Sequence, residues 1–179
     1  VNRNAYLKHF PIDKYVDFVV NRQHSAWDWT QAEQHGKWIE SAYLSAVQGD
    51  DKELLIKAES VLNRIIDSQE ANGYVGATAK SFRSPERPVR GMDAYELYFV
   101  FHAFITVYEE TGDKKALTAA EKLADYFLQY FGPGKLEFWP SDLRAPENNQ
   151  KHLDGHSDFA GHSVHYSWEG TLLCDPITR

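Results

Sequence analysis

One echo inside the chain limits its folding more than any other feature. Gln48-Gly49-Asp50-Asp51-Lys52-Glu53-Leu54 is repeated in type by Thr111-Gly112-Asp113-Lys114-Lys115-Ala116-Leu117, 63 residues later. Each copy joins two helical stretches. Gly49 and Gly112 stand where a helix C-terminus favours a left-handed residue, and Asp50 and Asp113 can cap the helix that follows. A unit that recurs at the length of one helix pair means stacked helical hairpins.

The apolar spacing predicts the helices: Thr30–Val47, Lys52–Ala71, Asp93–Glu110, Lys114–Phe131 and a shorter fifth over His162–Leu173. The second buries a stripe of Leu54, Ala58, Val61 and Ile65, and the fourth one of Ala116, Ala120, Leu123 and Phe127. The third is apolar nearly all round from Leu97 to Tyr108, so other elements must cover it on every side. Alternation of striped and fully apolar helices predicts two layers, with the first, third and fifth helices inside and the second and fourth outside. The expected fold class is all-α, helical hairpins forming part of an (α/α)6 toroid. Six hairpins of 63 residues need about twice the 179 residues present, so the toroid reads as incomplete. Residues 1–29 are expected to be an N-terminal lead-in, and residues 30–179 the partial toroid.

Charge and cysteine content narrow the functions. A net charge of −7 argues against nucleic acid or an anionic membrane as partner, since both reward basic patches. No apolar run reaches the length of a membrane span. The single Cys174 excludes an internal disulfide and any Cys-x-x-Cys motif. It leaves the compartment open, with a periplasmic or secreted protein as the expectation. No Gly-rich phosphate loop, nucleophile elbow or Cys/His nucleophile pair is present.

Candidate ligand-binding residues are the polar groups on the inner helices. The first helix carries Glu33, Gln34, His35 and Trp38, preceded by Trp27, Asp28 and Trp29. Trp faces can stack on sugar rings while carboxyls and amides bond hydroxyls; the competing reading makes Trp38 core and pairs Glu33 with Lys37 at i,i+4. On the third helix Glu96 and His102 are polar groups in an apolar setting, and a carboxyl there needs a partner. His162, His165 and Glu169 share one helix face at i, i+3 and i+7, a spacing that suits cavity lining or, less readily, a metal. Trp139 or Trp168 would lie at the rim. Six of these, Glu33, Gln34, His35, Trp38, Glu96 and His162, are expected to converge on one pocket.

Several segments together resemble a known family. They are Glu33-Gln34-His35-Gly36-Lys37-Trp38-Ile39, Ser68-Gln69-Glu70-Ala71-Asn72-Gly73-Tyr74-Val75-Gly76, Tyr95-Glu96-Leu97-Tyr98 with His102, Tyr108-Glu109-Glu110-Thr111-Gly112-Asp113, and Phe131-Gly132-Pro133-Gly134. In this order they resemble glycoside hydrolase family 127, the β-L-arabinofuranosidase-like group, over roughly residues 27–175. The resemblance implies an (α/α)6 toroid and retaining hydrolysis of plant-type glycans. It also implies a cysteine nucleophile held in a zinc site of Glu and Cys residues, with a separate Glu as general acid. All of these are expected beyond Arg179, with no cofactor within this segment and zinc in the full-length enzyme. Cys174 matches none of the family's cysteine motifs. Tyr95 stands where a His is common before Glu-Leu-Tyr, which suggests a sugar other than L-arabinose. The partners implied are an oligosaccharide or polysaccharide and either the missing half of the toroid or a second copy of the segment. Two alternatives stay open: a sugar epimerase of the N-acylglucosamine 2-epimerase type, with inner-helix His residues as acid and base, and a non-catalytic carbohydrate-binding or scaffold fragment.

Overall fold

The computed structural model describes residues 3–22, 33–89 and 93–136. Every regular element among them is helical: α1 (Arg3–His9), α2 (Ile12–Asn21), α3 (Glu33–Gly49), α4 (Lys52–Asp67), α5 (Asp93–Thr111) and α6 (Lys114–Tyr130), with one 3-10 turn at Lys80–Phe82. No described helix is long and apolar enough to cross a membrane. The expected fifth helix, His162–Leu173, lies outside the described residues.

α4 and α6 bury the stripes their sequences carry. Leu54, Ala58, Val61, Leu62 and Ile65 line the inner side of α4, and Ala116, Ala119, Ala120, Leu123, Tyr126 and Phe127 that of α6. α5 has no polar side over its middle turns: Val100, Phe101, Ala103, Phe104 and Val107 are all closed off from solvent. It packs chiefly on α3, with α6 against its other side. The inner pair of the layered arrangement is therefore α3 and α5, with α4 and α6 outside.

α3 and α5 run parallel. Gly36 faces the backbone of Phe99 and Val100, where an added Cβ would lie 2.4 Å from the Phe99 carbonyl carbon. Four residues further along α3, Glu40 accepts a hydrogen bond from Thr106 at 3.2 Å. Both contacts advance in the same chain direction. Only glycine lets the two backbones approach this closely at the crossing.

The helix ends correct two expectations. Gly112 is left-handed (φ 73°) and Asp113 caps α6, accepting from the Lys115 N–H at 2.8 Å. At the first copy of the echo the pattern is shifted by one residue: α3 runs through Gly49, Asp50 takes the left-handed conformation (φ 47°), and Asp51 caps α4 by accepting from the Leu54 N–H at 3.1 Å. Two successive aspartates allow this, because Asp tolerates the left-handed region and is also a good cap. α4 stops at Asp67, short of Ala71. The chain then makes a tight turn in which Gly73 (φ 97°) lies against the Lys122 carbonyl of α6, and the Gln69 amide donates to the carbonyls of Gly73 (2.9 Å) and Ala119 (3.0 Å).

The lead-in holds two helices that the sequence reading did not assign. α2 buries Ile12, Val16 and Val19 completely. The Trp38 indole N–H donates to the Leu7 carbonyl at 3.1 Å, and the Lys57 ammonium donates to the Lys8 carbonyl at 2.7 Å, closing the C-terminal end of α1. Arg64 on α4 joins Asp13 and Asp17 on α2.

Candidate functional site

Because α3 and α5 are parallel, their N-terminal turns lie at one end of the bundle. Glu33 is three residues before the Gly36 crossing and Glu96 three before Phe99, so both belong to the first turns on the same side of that crossing. Glu33 accepts from the Gln34 amide at 3.0 Å and lies 2.9 Å from the Lys37 ammonium. Lys37 also stands over the Phe99 ring, 4.3 Å from its centroid, which ties the α3 charges to α5. Glu96 is nearly closed off, at 6% exposure. The first turn of a helix favours negative charge, and both carboxyls have that position. Two turns deeper, His102 is half-buried with its ring edge-on to Tyr98 at 4.7 Å. The described part of the site thus combines two carboxyls, an amide and an ammonium beside aromatic rings, a set suited to holding several hydroxyls in fixed directions.

Two sequence-derived candidates face the interior instead. Trp38 is 4% exposed, its N–H is occupied by the Leu7 carbonyl and its ring lies 5.4 Å from the Lys57 ammonium, so it packs toward α1 and α4. His35 shares that stripe with Trp38, Ile39 and Ala42 and is 1% exposed, with neither ring nitrogen hydrogen-bonded. Burial pushes its pKa down to about 3, so the imidazole is neutral at ordinary pH. The phase of the helix is the physical reason: positions 35, 38, 39 and 42 fall on one face, and that face is covered. Neither residue presents a surface to a ligand. The Glu33–Lys37 pair of the competing reading does form.

Trp27, Asp28, Trp29, Trp139, His162, His165, Trp168 and Glu169 lie outside the described residues, as does Cys174. Among the described residues no three His, Cys, Asp or Glu side chains come together as a metal would need.

The sequence reading missed a second polar cluster at the same end of the bundle. Asp93, the first residue of α5, is 1% exposed, and its Oδ1 accepts from both the Tyr74 phenol and the Thr78 hydroxyl at 2.9 Å. Burial first, and then the neighbouring Asp93, hold the Tyr74 phenol well above its ordinary pKa, so it remains a donor. The signal in the sequence was faint: one acidic residue opening a buried helix, with its partners 15 and 19 residues earlier.

Residues 3–139 match the family described as β-L-arabinofuranosidase, GH127 catalytic domain. A curated relative, the non-reducing end β-L-arabinofuranosidase of Bifidobacterium longum subsp. longum, is 29% identical over 104 residues, covering 54% of this chain and 16% of that protein. Among solved structures, a GH127 β-arabinofuranosidase superimposes with a TM-score of 0.58 at 19% identity, over 87% of this chain and 27% of its own. The GH127 β-L-arabinofuranosidase of Geobacillus stearothermophilus T6 gives 0.57 at 16% identity, over 98% and 31%. The chain therefore spans at most about a third of the length of these relatives, and the structural likeness at such identities is one of fold.

Proposed function

The chain belongs to the β-L-arabinofuranosidase, GH127 catalytic domain family, and from that premise we propose that it forms the first wall of the sugar pocket in a retaining glycosidase. The substrate class is the terminal sugar of plant-type glycans; the names of the relatives make a β-L-arabinofuranosyl unit the first to test, while Tyr95 points to a different sugar as the preferred one. Glu33, Gln34 and Glu96 take hydroxyls of the terminal sugar, and Lys37 holds Glu33 in place. His102 lines the deeper part of the cavity. The sequence offers Trp139, His162, His165 and Glu169 as further sugar-binding candidates. The nucleophile, its zinc seat and the general acid belong to residues beyond Arg179, so this segment binds and orients but does not cleave. Fixing a sugar ring at several hydroxyls lowers the entropy still to be lost at the transition state.

The observation that supports this reading most is that Glu33 and Glu96 open two parallel inner helices on the same side of their crossing, beside the Lys37–Phe99 contact. The test is made on the longer protein that carries this segment, with p-nitrophenyl β-L-arabinofuranoside as probe. Release of nitrophenol with a β-configured first product is expected, and Glu96→Gln should lower kcat/KM at least tenfold, a loss of about 1.4 kcal/mol of transition-state stabilisation. No release, or a sugar inverted at a ring carbon with no new reducing end, would contradict the reading.

A further inference from the structure

The connector between α4 and α5 is held to the bundle by a continuous polar chain that the proposed pocket does not use. Arg22, at the end of α2, lies 3.6 Å from Glu70 through its Nε. Glu70 pairs with Arg83, whose guanidinium carbon lies over the Tyr74 ring, 3.5 Å from its centroid. Tyr74 donates to Asp93, and Thr78 closes a three-membered ring of bonds: its hydroxyl donates to Asp93 and its backbone N–H to the Tyr74 oxygen at 3.1 Å. Gly76 leaves the room this requires, since a Cβ there would fall 2.4 Å from the Tyr74 oxygen and 3.2 Å from the Asp93 carboxyl. Tyr74, Thr78 and Asp93 are all buried.

A carboxyl taken out of water is retained only where donors replace the water it has lost. Here Tyr74 and Thr78, two donors from the connector, meet the acceptor that opens α5. The bonds therefore fix the azimuth and height of the first turn of α5, and Glu96 is on that turn. We propose that Asp93, clasped by Tyr74 and Thr78, is a positioning residue that sets Glu96 against the sugar. This rests on the pocket assigned above. A displacement of even 1 Å at such a contact is enough to reduce turnover strongly.

A double-mutant cycle on the longer protein, again with p-nitrophenyl β-L-arabinofuranoside, reads the coupling directly. Asp93→Ala should lower kcat/KM at least tenfold, and Asp93→Asn, which keeps the Oδ1 acceptor, should recover most of that loss. In a Glu96→Gln background the same Asp93→Ala change should reduce kcat/KM less than threefold, because the residue it positions is already disabled. Thr78→Val removes one bond to the same oxygen and carries the cycle if Asp93→Ala does not fold. Losses that multiply independently in the two backgrounds, or an Asp93→Asn variant as impaired as Asp93→Ala, would overturn the positioning role alone. A wild-type protein inert on the probe would overturn the pocket assignment and this inference with it.

Discussion

His35 brings two polar nitrogens into a packed interior where neither meets a partner. A buried polar group left in that state costs about 1–3 kcal/mol, and replacing it with an apolar side chain of similar volume removes the penalty. His35→Leu is therefore expected to stabilise the protein by about 1–2 kcal/mol in urea unfolding at neutral pH, without loss of sugar binding. The same residue sets a pH dependence. Its pKa is about 3 when folded against 6.5 when free, so below pH 6.5 the unfolded chain takes up a proton that the folded one refuses. Stability then falls by roughly 1.4 kcal/mol per pH unit down to about pH 3, and above pH 6.5 this contribution is flat. Unfolding free energies at pH 7.5 and pH 5 should differ by about 2 kcal/mol more in the wild type than in His35→Leu. Equal pH responses would show that the imidazole has found a partner. Gly36 makes a steric prediction of the same kind: Gly36→Ala puts a methyl group into the Phe99 backbone, and it should lower stability by about 1–3 kcal/mol, the usual range for overpacking.

At the scale of elements, the sequence revealed what periodicity can reveal. α4 and α6 each hide one stripe, and α5 is apolar around its middle turns, so their identity and layer followed from residue spacing alone. α1 and α2 were hidden by their length, 7 and 10 residues, and by Pro11 between them. The i, i+4, i+7 run of Ile12, Val16 and Val19 was nonetheless a readable signal. The candidate site was half legible. Polar residues near the starts of α3 and α5 were identifiable, and the Glu33–Lys37 spacing predicted its own ion pair. Which way His35 and Trp38 point depends on the phase of α3 against α1, α4 and α5, which a composition of mixed aromatic and polar residues does not fix. The Tyr74–Thr78–Asp93 cluster depends on how an irregular connector folds back, and no period encodes that. The connector itself should be sensitive: Gly73→Ala places a methyl group 1.9 Å from the Lys122 carbonyl in a left-handed conformation. It is expected to loosen the Ser68–Val89 segment, seen as faster amide exchange there than in α4.

At the scale of the whole molecule, the described helices are a layered arc, with α3 and α5 inside and α4 and α6 outside. The chain covers 27% and 31% of the two solved family members compared with it. In the proposed pocket the first turns of α3 and α5 touch the sugar. A crystal structure of the longer protein soaked with L-arabinose tests this most directly. The expected result is a ring whose hydroxyls lie within hydrogen-bond distance, about 2.6–3.2 Å, of both the Glu96 carboxyl and the Glu33–Gln34 pair. A sugar bound at the opposite end of the inner helices, or one that leaves Glu33, Gln34 and Glu96 all untouched, would contradict it.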